Sequence, residues 1–356
     1  MKGPAAEAAT AFRLDGSVLS VEPYGQGHIH HTFRVATAKR RYLLQRLNTT
    51  VFPDPRRVME NVARVLDHLR AKLEAKGVAD LDRRVLQLMP TQSGEAFWRS
   101  PDDHWWRCYL FIEPSRSLER PETRHQAFEA GRAFGAFQTL LEDLPGPTLQ
   151  PTLPGFHDAP LRLTHFEKAL QDDPLGRASQ AMTEIAWALQ QRSRADLFAG
   201  FLRDGTMAPI LTHNDTKLNN LLFDERGEEA LCVLDLDTVM PGLPLYDFGD
   251  LARSACNRAA EDGPADVDAA LFLCLAEGFQ AGRPWSEVER DHAVEATQTM
   301  AYTLGLRFLT DFLEGDSYFR IHRPDHNLHR ARGQFALVEA LESRKAELKQ
   351  ALAKPA

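Results

Sequence analysis

Apolar residues follow two different rhythms along the chain, one in the first third and another in the remainder. Short apolar runs bounded by turn residues predict strands over 42–47, 85–89 and 105–112. One amphipathic helix is predicted over 57–72, with its valines and leucines on a single face. Beyond residue 114 the apolar residues recur with the spacing of helices. The helices predicted there span 123–141, 161–170, 178–202, 265–280, 292–313 and 327–354.

The order of these elements predicts two lobes. A chain of 356 residues is longer than the roughly 250–300 residues at which a single core usually stops growing. We therefore expect an α+β fold with a β-rich N-terminal lobe over 1–113 and a mainly helical C-terminal lobe over 114–356. The Glu113–Pro114 pair would form the hinge between the lobes.

Charge and composition argue against several kinds of partner. The net charge of −8 offers no general excess of basic residues for binding nucleic acid. The chain contains no run of about 18 apolar residues, so no membrane-spanning helix is expected. The four cysteines are widely spaced, which favours buried thiols in a reducing cytoplasm over a zinc site. We expect a cytoplasmic protein, and its oligomeric state stays open.

One predicted hairpin interrupts the helical lobe, and the polar residues concentrate beside it. Residues 213–220 read HNDTKLNN, which matches the H-x-D-x-x-x-x-N pattern of kinase catalytic loops. In that pattern the aspartate accepts the proton of the attacking hydroxyl and the asparagine holds a metal ion. This predicts Asp215 as the base and Asn220 as a metal ligand. Lys217 would lie near the transferred phosphoryl group and offset its charge.

The hairpin itself supplies a second metal ligand. Its predicted strands are 221–223 and 230–234, and antiparallel pairing would place Asp235 beside Asn220. A carboxylate and an amide oxygen are suitable ligands for Mg²⁺. Asp237 would lie just behind them. Asp247 belongs to a literal Asp-Phe-Gly triplet, but it follows too long after the hairpin, so we expect it to cap a helix or brace the catalytic loop.

A glycine-containing turn opens the N-terminal lobe. Residues 24–33 read YGQGHIHHTF, and two glycines let backbone N–H groups approach phosphates closely. The three histidines lack an evident fourth metal ligand, and a position of His28 or His30 facing the cleft is favoured. The strand 42–47 carries no lysine to bind the α- and β-phosphates, so Gln45 or Arg46 must bind them instead. Strand alternation lets only one of the two face the site. The predicted nucleotide-binding residues are Gly25, Gly27, Thr32, Gln45, Arg46 and Glu113.

Together these residues resemble the aminoglycoside-phosphotransferase/choline-kinase family of small-molecule kinases, and within it the N-acetylhexosamine 1-kinases. The matching stretches are 25–32, 44–48 (LQRLN), 134–138 (FGAFQ), 155–162 (GFHDAPLR), 213–220, 233–250 and 306–319. The resemblance implies a two-lobed, protein-kinase-like fold and Mg²⁺- and ATP-dependent phosphorylation of a small molecule. The implied acceptor is the anomeric hydroxyl of a hexose or N-acetylhexosamine.

The resemblance also implies an acceptor site late in the chain. It assigns Arg307 and Tyr318 to sugar binding, with His157 as a weaker candidate. The ordinary structural alternatives are an ion pair between Arg307 and Asp311, and a core position for Tyr318. Two departures concern the sugar: His30 stands where an asparagine is expected, and no tryptophan follows residue 337.

Two other functions stay open at this point. One is a kinase for an amino alcohol, an amino acid or an aminoglycoside, although Arg307 would disfavour a cationic acceptor. The other is a nucleotide-binding regulator without turnover, which the missing strand lysine would suit. A basic cluster over 322–332 is expected to be a solvated helix face.

Overall fold

The computed structural model describes residues 3–25 and 29–353. The strands are β1 Val18–Pro23, β2 His31–Thr37, β3 Arg41–Arg46, β4 Trp98–Arg99, β5 Trp105–Leu110, β6 Arg116–Ser117, β7 Ile210–Thr212, β8 Leu221–Phe223, β9 Ala230–Val233 and β10 Met240–Gly242. The helices are α1 Pro4–Thr10, α2 Pro55–Ala75, α3 Leu81–Arg84, α4 Arg124–Leu141, α5 Ala159–Asp172, α6 Met182–Gln190, α7 Asp196–Asp204, α8 Pro244–Ala255, α9 Ala269–Gly282, α10 Glu287–Glu314 and α11 His326–Leu352.

The N-terminal region is built on one antiparallel sheet with the strand order β1-β2-β3-β5-β4. Within it, Thr32 of β2 lies opposite Gln45 of β3, and Gln45 lies opposite Arg107 of β5. Successive side chains of a strand point to opposite faces. The core between α1 and the sheet contains Ala8, Ala9, Phe12, Val35, Tyr42, Leu44, Trp106, Cys108 and Leu110. Gln45 and Arg107 therefore point to the other face.

Helix α2 connects the sheet to the helical region. Its predicted apolar face is confirmed, with Val58, Val62, Val65, Leu66 and Leu69 buried. Asp54 caps its N-terminus by accepting a hydrogen bond from the backbone N–H of residue 57 at 3.0 Å. The apolar face joins a cluster that also contains Leu231, Leu236 and Val239 of the polar hairpin region. This apolar cluster, which also contains Tyr109 of the sheet, therefore packs the sheet, α2 and the hairpin against one another.

Two predicted elements differ from the structure. The segment 85–89 pairs with β5 only through an isolated bridge between Leu88 and Tyr109, because Pro90 follows at once. The segment 178–202 contains two helices, α6 and α7, rather than one. The polar run Gln190–Arg194 ends α6, and a short 3₁₀ turn separates the two helices.

The helical region packs α9 against α4, and α10 against both α8 and α11. These elements confirm the mixed α+β fold with a sheet-based N-terminal region and a helical C-terminal region. The division at residue 113 stays a prediction. Within residues 3–25 and 29–353, the helices are too short or too polar to cross a membrane.

Four glycines set the separation of α4 and α9. A Cβ atom on Gly278 would lie 1.9 Å from the carbonyl oxygen of Phe128, and one on Gly131 would lie 2.1 Å from that of Leu275. The remaining two, Gly135 and Gly282, meet the facing backbone in the same way. The helices therefore approach backbone to backbone, at a distance that any side chain would increase.

Gly278→Ala is expected to lower the free energy of unfolding by about 1–3 kcal/mol or more, because the added methyl group meets rigid backbone. Chemical denaturation of the full chain measures this effect. Gly200→Ala in α7 is the matched control, since its Cβ would meet only the Arg203 guanidinium at 3.9 Å. That control should leave stability unchanged or raise it by up to about 1 kcal/mol. Equal stability of the two variants would contradict the packing argument.

Candidate active site

The hairpin positions the predicted catalytic loop. Strand β7 leads into the loop, a short 3₁₀ turn over Leu218–Asn220 follows, and β8 pairs with β9 in antiparallel fashion. The backbone N–H of Leu234 donates to the carbonyl oxygen of Asn220 at 2.8 Å. Asp235 comes directly after this pair. The sequence-based register, which brings Asp235 to the end of the hairpin where Asn220 lies, is thus the register in the structure.

Asp215 is held by two neighbours in the loop. The ammonium of Lys217 lies 3.2 Å from its Oδ2 atom, and the amide of Asn220 donates to the same oxygen at 3.0 Å. Burial alone would raise the pKa of Asp215, but the charge of Lys217 and these hydrogen bonds lower it below its ordinary value. The carboxylate is therefore ionised at neutral pH. Among the described residues, no hydrogen bond reaches its Oδ1 atom, which leaves that oxygen open to a proton donor.

Asp247 braces the catalytic loop from the first turn of α8. One carboxylate oxygen accepts from the backbone N–H of Asn214 at 2.7 Å, and the other accepts from that of His213 at 2.9 Å. The side chain of Gln138 donates to Asp247 as well, at 2.7 Å. Of the two roles predicted for Asp247, the structure shows the bracing one. Asp250, one turn later, accepts from the backbone N–H of Thr216 at 2.9 Å.

The loop conformation is unusual at two positions. Asn214 has φ 66° and Asp235 has φ 57°, both in the left-handed region that residues other than glycine seldom adopt. The side chain of Asn214 donates to the carbonyl oxygens of Thr212, Thr238 and Met240, which holds this conformation. Such positions cluster at functional sites, where the surrounding contacts impose them.

His213 has a structural role in the catalytic loop. Its Nε2–H donates to the carbonyl oxygen of Leu234 at 2.7 Å, and its Nδ1 accepts from the backbone N–H of Asp215 at 3.2 Å. The ring packs edge-on against Phe134 and Phe137. Both nitrogens are occupied, so the imidazole orients the loop.

Asp235 and Asn220 fit a divalent cation. Burial, together with the charges of Asp237 and Asp215, raises the pKa of Asp235 above its ordinary value. Within the described part of the chain, no side chain donates a hydrogen bond to its carboxylate. A partly buried acid with two carboxylates beside it is stabilised by a cation. The amide of Asn220 donates to Asp215, which leaves its oxygen available as a second ligand.

Ligand atoms of His30, Asp235 and Asp237 lie within 4.8 Å of one another, but Asp237 is already engaged. Arg107 contacts both of its oxygens, with Nη2 at 2.9 Å from Oδ2. His30 donates from Nε2 to the same oxygen at 2.6 Å and accepts at Nδ1 from the backbone of Asn48. Burial would raise the pKa of Asp237, but Arg107 and His30 hold it well below its ordinary value. Asp235 is therefore the free carboxylate of the group.

Gln45 and Arg46 lie on opposite faces of the sheet. The Gln45 amide accepts from Arg107 Nε at 2.9 Å and donates to Thr32 Oγ1 at 3.2 Å, which connects it to Asp237. Arg46 lines a pocket of about 460 Å³ against α1 on the other face. Arg46 is thus not brought to the site. The buried cation next to Asp237 is Arg107, which sequence reasoning missed although an arginine in an apolar strand was a visible signal.

Of the other predicted nucleotide-binding residues, Thr32 lies in β2, and Gly25 and Glu113 lie just beyond the ends of β1 and β5. Gly25 has φ +76° with open space around its Cβ position, and the backbone N–H of Tyr24 donates to Thr32 O at 2.9 Å. Glu113 follows β5 and pairs with Arg41 at 2.8 Å on the surface. Gly27 and His28 lie outside the described residues. Nucleotide binding by this set stays a prediction.

The predicted acceptor residues form one cluster beside the catalytic loop. His157 donates from Nε2 to the carbonyl oxygen of Asn214 at 2.7 Å. Burial lowers the pKa of His157 to about 4, so the ring is neutral at pH 7. The guanidinium of Arg307 lies 5.2 Å from the ring of Phe156 and donates to the hydroxyl of Tyr318 at 3.3 Å.

Neither structural alternative for the acceptor residues matches the structure. Asp311 is buried and accepts from the backbone N–H groups of 317, 318 and 319, so it forms no ion pair with Arg307. Tyr318 is 55% exposed and is not a core residue. These positions leave both side chains available at the surface of the cleft.

The basic cluster over 322–332 is not a simple solvated face. Arg323 pairs with Asp262 at 2.8 Å, Arg330 with Glu261 at 3.0 Å, and Arg332 with Glu184 at 2.6 Å. These contacts tie the segment before and within α11 to the loop after α8 and to α6. The cluster therefore has an intramolecular role that charge patterning did not predict.

Known proteins share this architecture. The sequence pattern of the Phosphotransferase enzyme family matches residues 20–285, more than half of the chain. The microcompartment-associated aminopropanol kinase is 15% identical, with a TM-score of 0.66 over 98% of this chain and 99% of that chain. Amicoumacin kinase, solved with AMP-PNP, Ca²⁺ and Ami, is 13% identical, with a TM-score of 0.63 over 94% and 92%.

A third solved structure is similar over nearly its whole length. The aminoglycoside phosphotransferase from Alicyclobacillus acidocaldarius subsp. acidocaldarius DSM 446 is 13% identical, with a TM-score of 0.60 over 98% of each chain. At these identities the solved structures show a common fold.

Proposed function

Because this chain belongs to the phosphotransferase enzyme family, we propose that it uses Mg²⁺ and ATP to phosphorylate the anomeric hydroxyl of a hexose or N-acetylhexosamine. The chain is a small-molecule phosphotransferase of the aminoglycoside-phosphotransferase and choline-kinase type. This family is expected to use ATP with a divalent metal. Membership of this family therefore excludes the alternative of a nucleotide-binding regulator without turnover.

The catalytic loop supports a direct transfer. The acceptor oxygen attacks the γ-phosphorus, the bond from that phosphorus to the bridging oxygen breaks, and ADP leaves with the electron pair. Asp215 orients the hydroxyl and takes its proton. Lys217 offsets charge on the transferred group. Asp235 and Asn220 would hold Mg²⁺, which when bound neutralises the charge of the β- and γ-phosphates.

The nucleotide side of the proposal differs from a standard kinase in one respect. The strand residue opposite Arg107 is Gln45, and a lysine is absent from β3. Arg107 is held by its ion pair with Asp237, so its positive charge stays on the side of Asp237, next to Asp235. We infer that Gln45 contacts the nucleotide and that Arg107 positions Asp237 and Gln45. Gly25, Gly27, Thr32 and Glu113 complete the proposed nucleotide site.

The observation that carries the sugar proposal is the environment of Arg307. Its guanidinium stacks against Phe156, Tyr318 and Phe319 at 5.2–5.6 Å. Within the described residues, no carboxylate lies within ion-pair distance of it. A fixed cation beside aromatic faces would repel an amine and suits the oxygens and the apolar faces of a sugar.

A panel of acceptors tests this proposal. We expect phosphorylation of reducing hexoses or N-acetylhexosamines with Mg·ATP, and its loss when C1 is blocked as a methyl glycoside. Choline, homoserine and kanamycin are the matched cationic acceptors. Phosphorylation of these compounds alone would overturn the sugar assignment in favour of an amine-bearing acceptor.

A further inference from the structure

Two arginines from different helices lie together on the acceptor side. Arg162 belongs to α5 and Arg307 to α10. The guanidinium of Arg162 donates to the carbonyl oxygen of Phe156 at 3.3 Å, and that of Arg307 lies over the ring of the same residue at 5.2 Å. Phe156 therefore holds both side chains in one place. We refer to Arg162 and Arg307 as the arginine pair.

The arginine pair has no ion-pair partner. Within residues 3–25 and 29–353, Arg162 donates to the carbonyl oxygen of Phe156 and Arg307 to the hydroxyl of Tyr318, and neither guanidinium has a carboxylate within 4.0 Å. Asp158 is the nearby acid, and its carboxylate caps α5 by accepting from the backbone N–H of Leu161 at 2.9 Å. Burial and the charge of Arg307 lower the pKa of Arg162 to about 10. The two like charges thus destabilise each other.

Arg162 also carries an unused donor. Its Nε atom is buried and has no hydrogen-bond partner among the described residues. Buried polar groups are nearly always satisfied in folded proteins, and an exception calls for an explanation. A bound anion would supply the missing acceptor. A carboxylate or phosphate suits the planar fork of a guanidinium better than a neutral group does. The donor and the charge therefore point to the same kind of ligand.

The arginine pair lies beside a segment that contacts the catalytic loop. His157 follows Phe156 and donates to the carbonyl oxygen of Asn214, the residue before Asp215. The charges of both Arg307 and Asp215 act on His157. Residues 156 and 157 therefore join the arginine pair to the loop that carries Asp215. An acceptor whose hydroxyl contacts Asp215 would have the pair among its neighbours.

We propose that the arginine pair is an anion subsite and that the preferred acceptor is a sugar carrying an anionic group. This inference rests on the proposed function and names its acceptor class. The anionic group is a carboxylate, as in a hexuronic acid, or a phosphate, as in a hexose 6-phosphate. The transfer is otherwise unchanged: the hydroxyl proton passes to Asp215 and ADP leaves as the new O–P bond forms.

Calorimetric binding to the full chain tests the subsite without requiring turnover. Glucuronate, galacturonate and glucose 6-phosphate are compared with glucose and galactose, each at two salt concentrations. We expect at least one anionic sugar to bind about tenfold or more tightly than its neutral counterpart, with the preference reduced by salt. The uronates and the phosphate distinguish the two sources of charge.

Substitutions test whether the arginine pair causes the preference for anionic over neutral sugars. Arg162→Gln and Arg307→Gln should each remove most of it, whereas Arg162→Lys should retain part of it because the charge remains. Arg203→Gln, at an exposed arginine of α7, is the matched control and should leave the preference intact. Equal binding of charged and neutral sugars, or a preference that survives both glutamine variants, would overturn the subsite.

Turnover with Mg·ATP is measured in parallel, so the two proposals fail separately. Phosphorylation of neutral sugars with no anion preference in binding would support the proposed function and refute the subsite. Tight, arginine-dependent binding of anionic sugars without phosphorylation of any sugar, charged or neutral, would support the subsite and refute the proposed function.

Discussion

Asp215→Asn is expected to lower kcat by roughly 10²- to 10⁴-fold, the usual contribution of a general base. The asparagine keeps the shape of the side chain and can still accept from Asn220, but it cannot take the proton of the acceptor hydroxyl. ATP binding should change little, because the proposed nucleotide site is formed by other residues. Steady-state kinetics and a direct measurement of ATP affinity together check this expectation.

The matched control for Asp215→Asn is Asp172→Asn. Asp172 also pairs with a lysine, Lys168, at 2.7 Å, but this pair lies on the surface of α5. Its kcat should equal that of the unmodified protein. If Asp215→Asn retained kcat within about threefold of the control, a change of less than 1 kcal/mol in the barrier, Asp215 would not be the base.

Asp237→Asn is expected to lower the free energy of unfolding by about 3–5 kcal/mol, the usual effect of removing one partner of a buried ion pair. Both side chains of the Arg107–Asp237 pair are only 1% exposed. The substitution would leave the Arg107 guanidinium buried without its counter-charge. The amide would also have a single oxygen where the carboxylate has two that accept from Arg107 and His30. Denaturant unfolding of the full chain at neutral pH measures the change.

Asp103→Asn provides the comparison for this prediction. Asp103 pairs with Arg99 at the surface, where the two side chains are 65% and 59% exposed. Exposed pairs contribute about 0–1 kcal/mol, so this variant should unfold almost as the unmodified protein does. A loss for Asp237→Asn no larger than that of Asp103→Asn would contradict the assigned role of the buried pair.

The contribution of the Arg107–Asp237 pair to the free energy of unfolding depends on pH, and the direction of the Asp237 pKa shift gives the sign. The pKa of Asp237 is lower in the folded protein than in the unfolded chain, so the unfolded chain binds the proton more readily. Its contribution is complete above the unfolded value of about 3.9. It is lost only as the pH falls through the lower, folded value.

Local patterns along the chain were sufficient to predict much of the candidate site. The spacing within HNDTKLNN and the short hairpin after it predict that Asp215, Lys217, Asn220 and Asp235 converge, because contacts within a loop and its adjoining hairpin depend on near neighbours. The apolar face of α2 was readable for the same reason. The boundary within 178–202 was not, since a polar run overrode the helical periodicity there.

The positions of several charges depended on the tertiary structure. Arg107 and Asp237 are 130 residues apart, and strand alternation alone could not say whether Gln45 or Arg46 faces the site. His30 likewise reaches Asp237 only because the sheet closes over the hairpin. The sequence by itself predicted the candidate catalytic residues and determined the register of their hairpin. Tertiary packing decided which buried charges neutralise each other, and among the described residues it left Arg162 and Arg307 with no acid at ion-pair distance. Such pairings depend on how distant elements pack, and that information is absent from any local pattern.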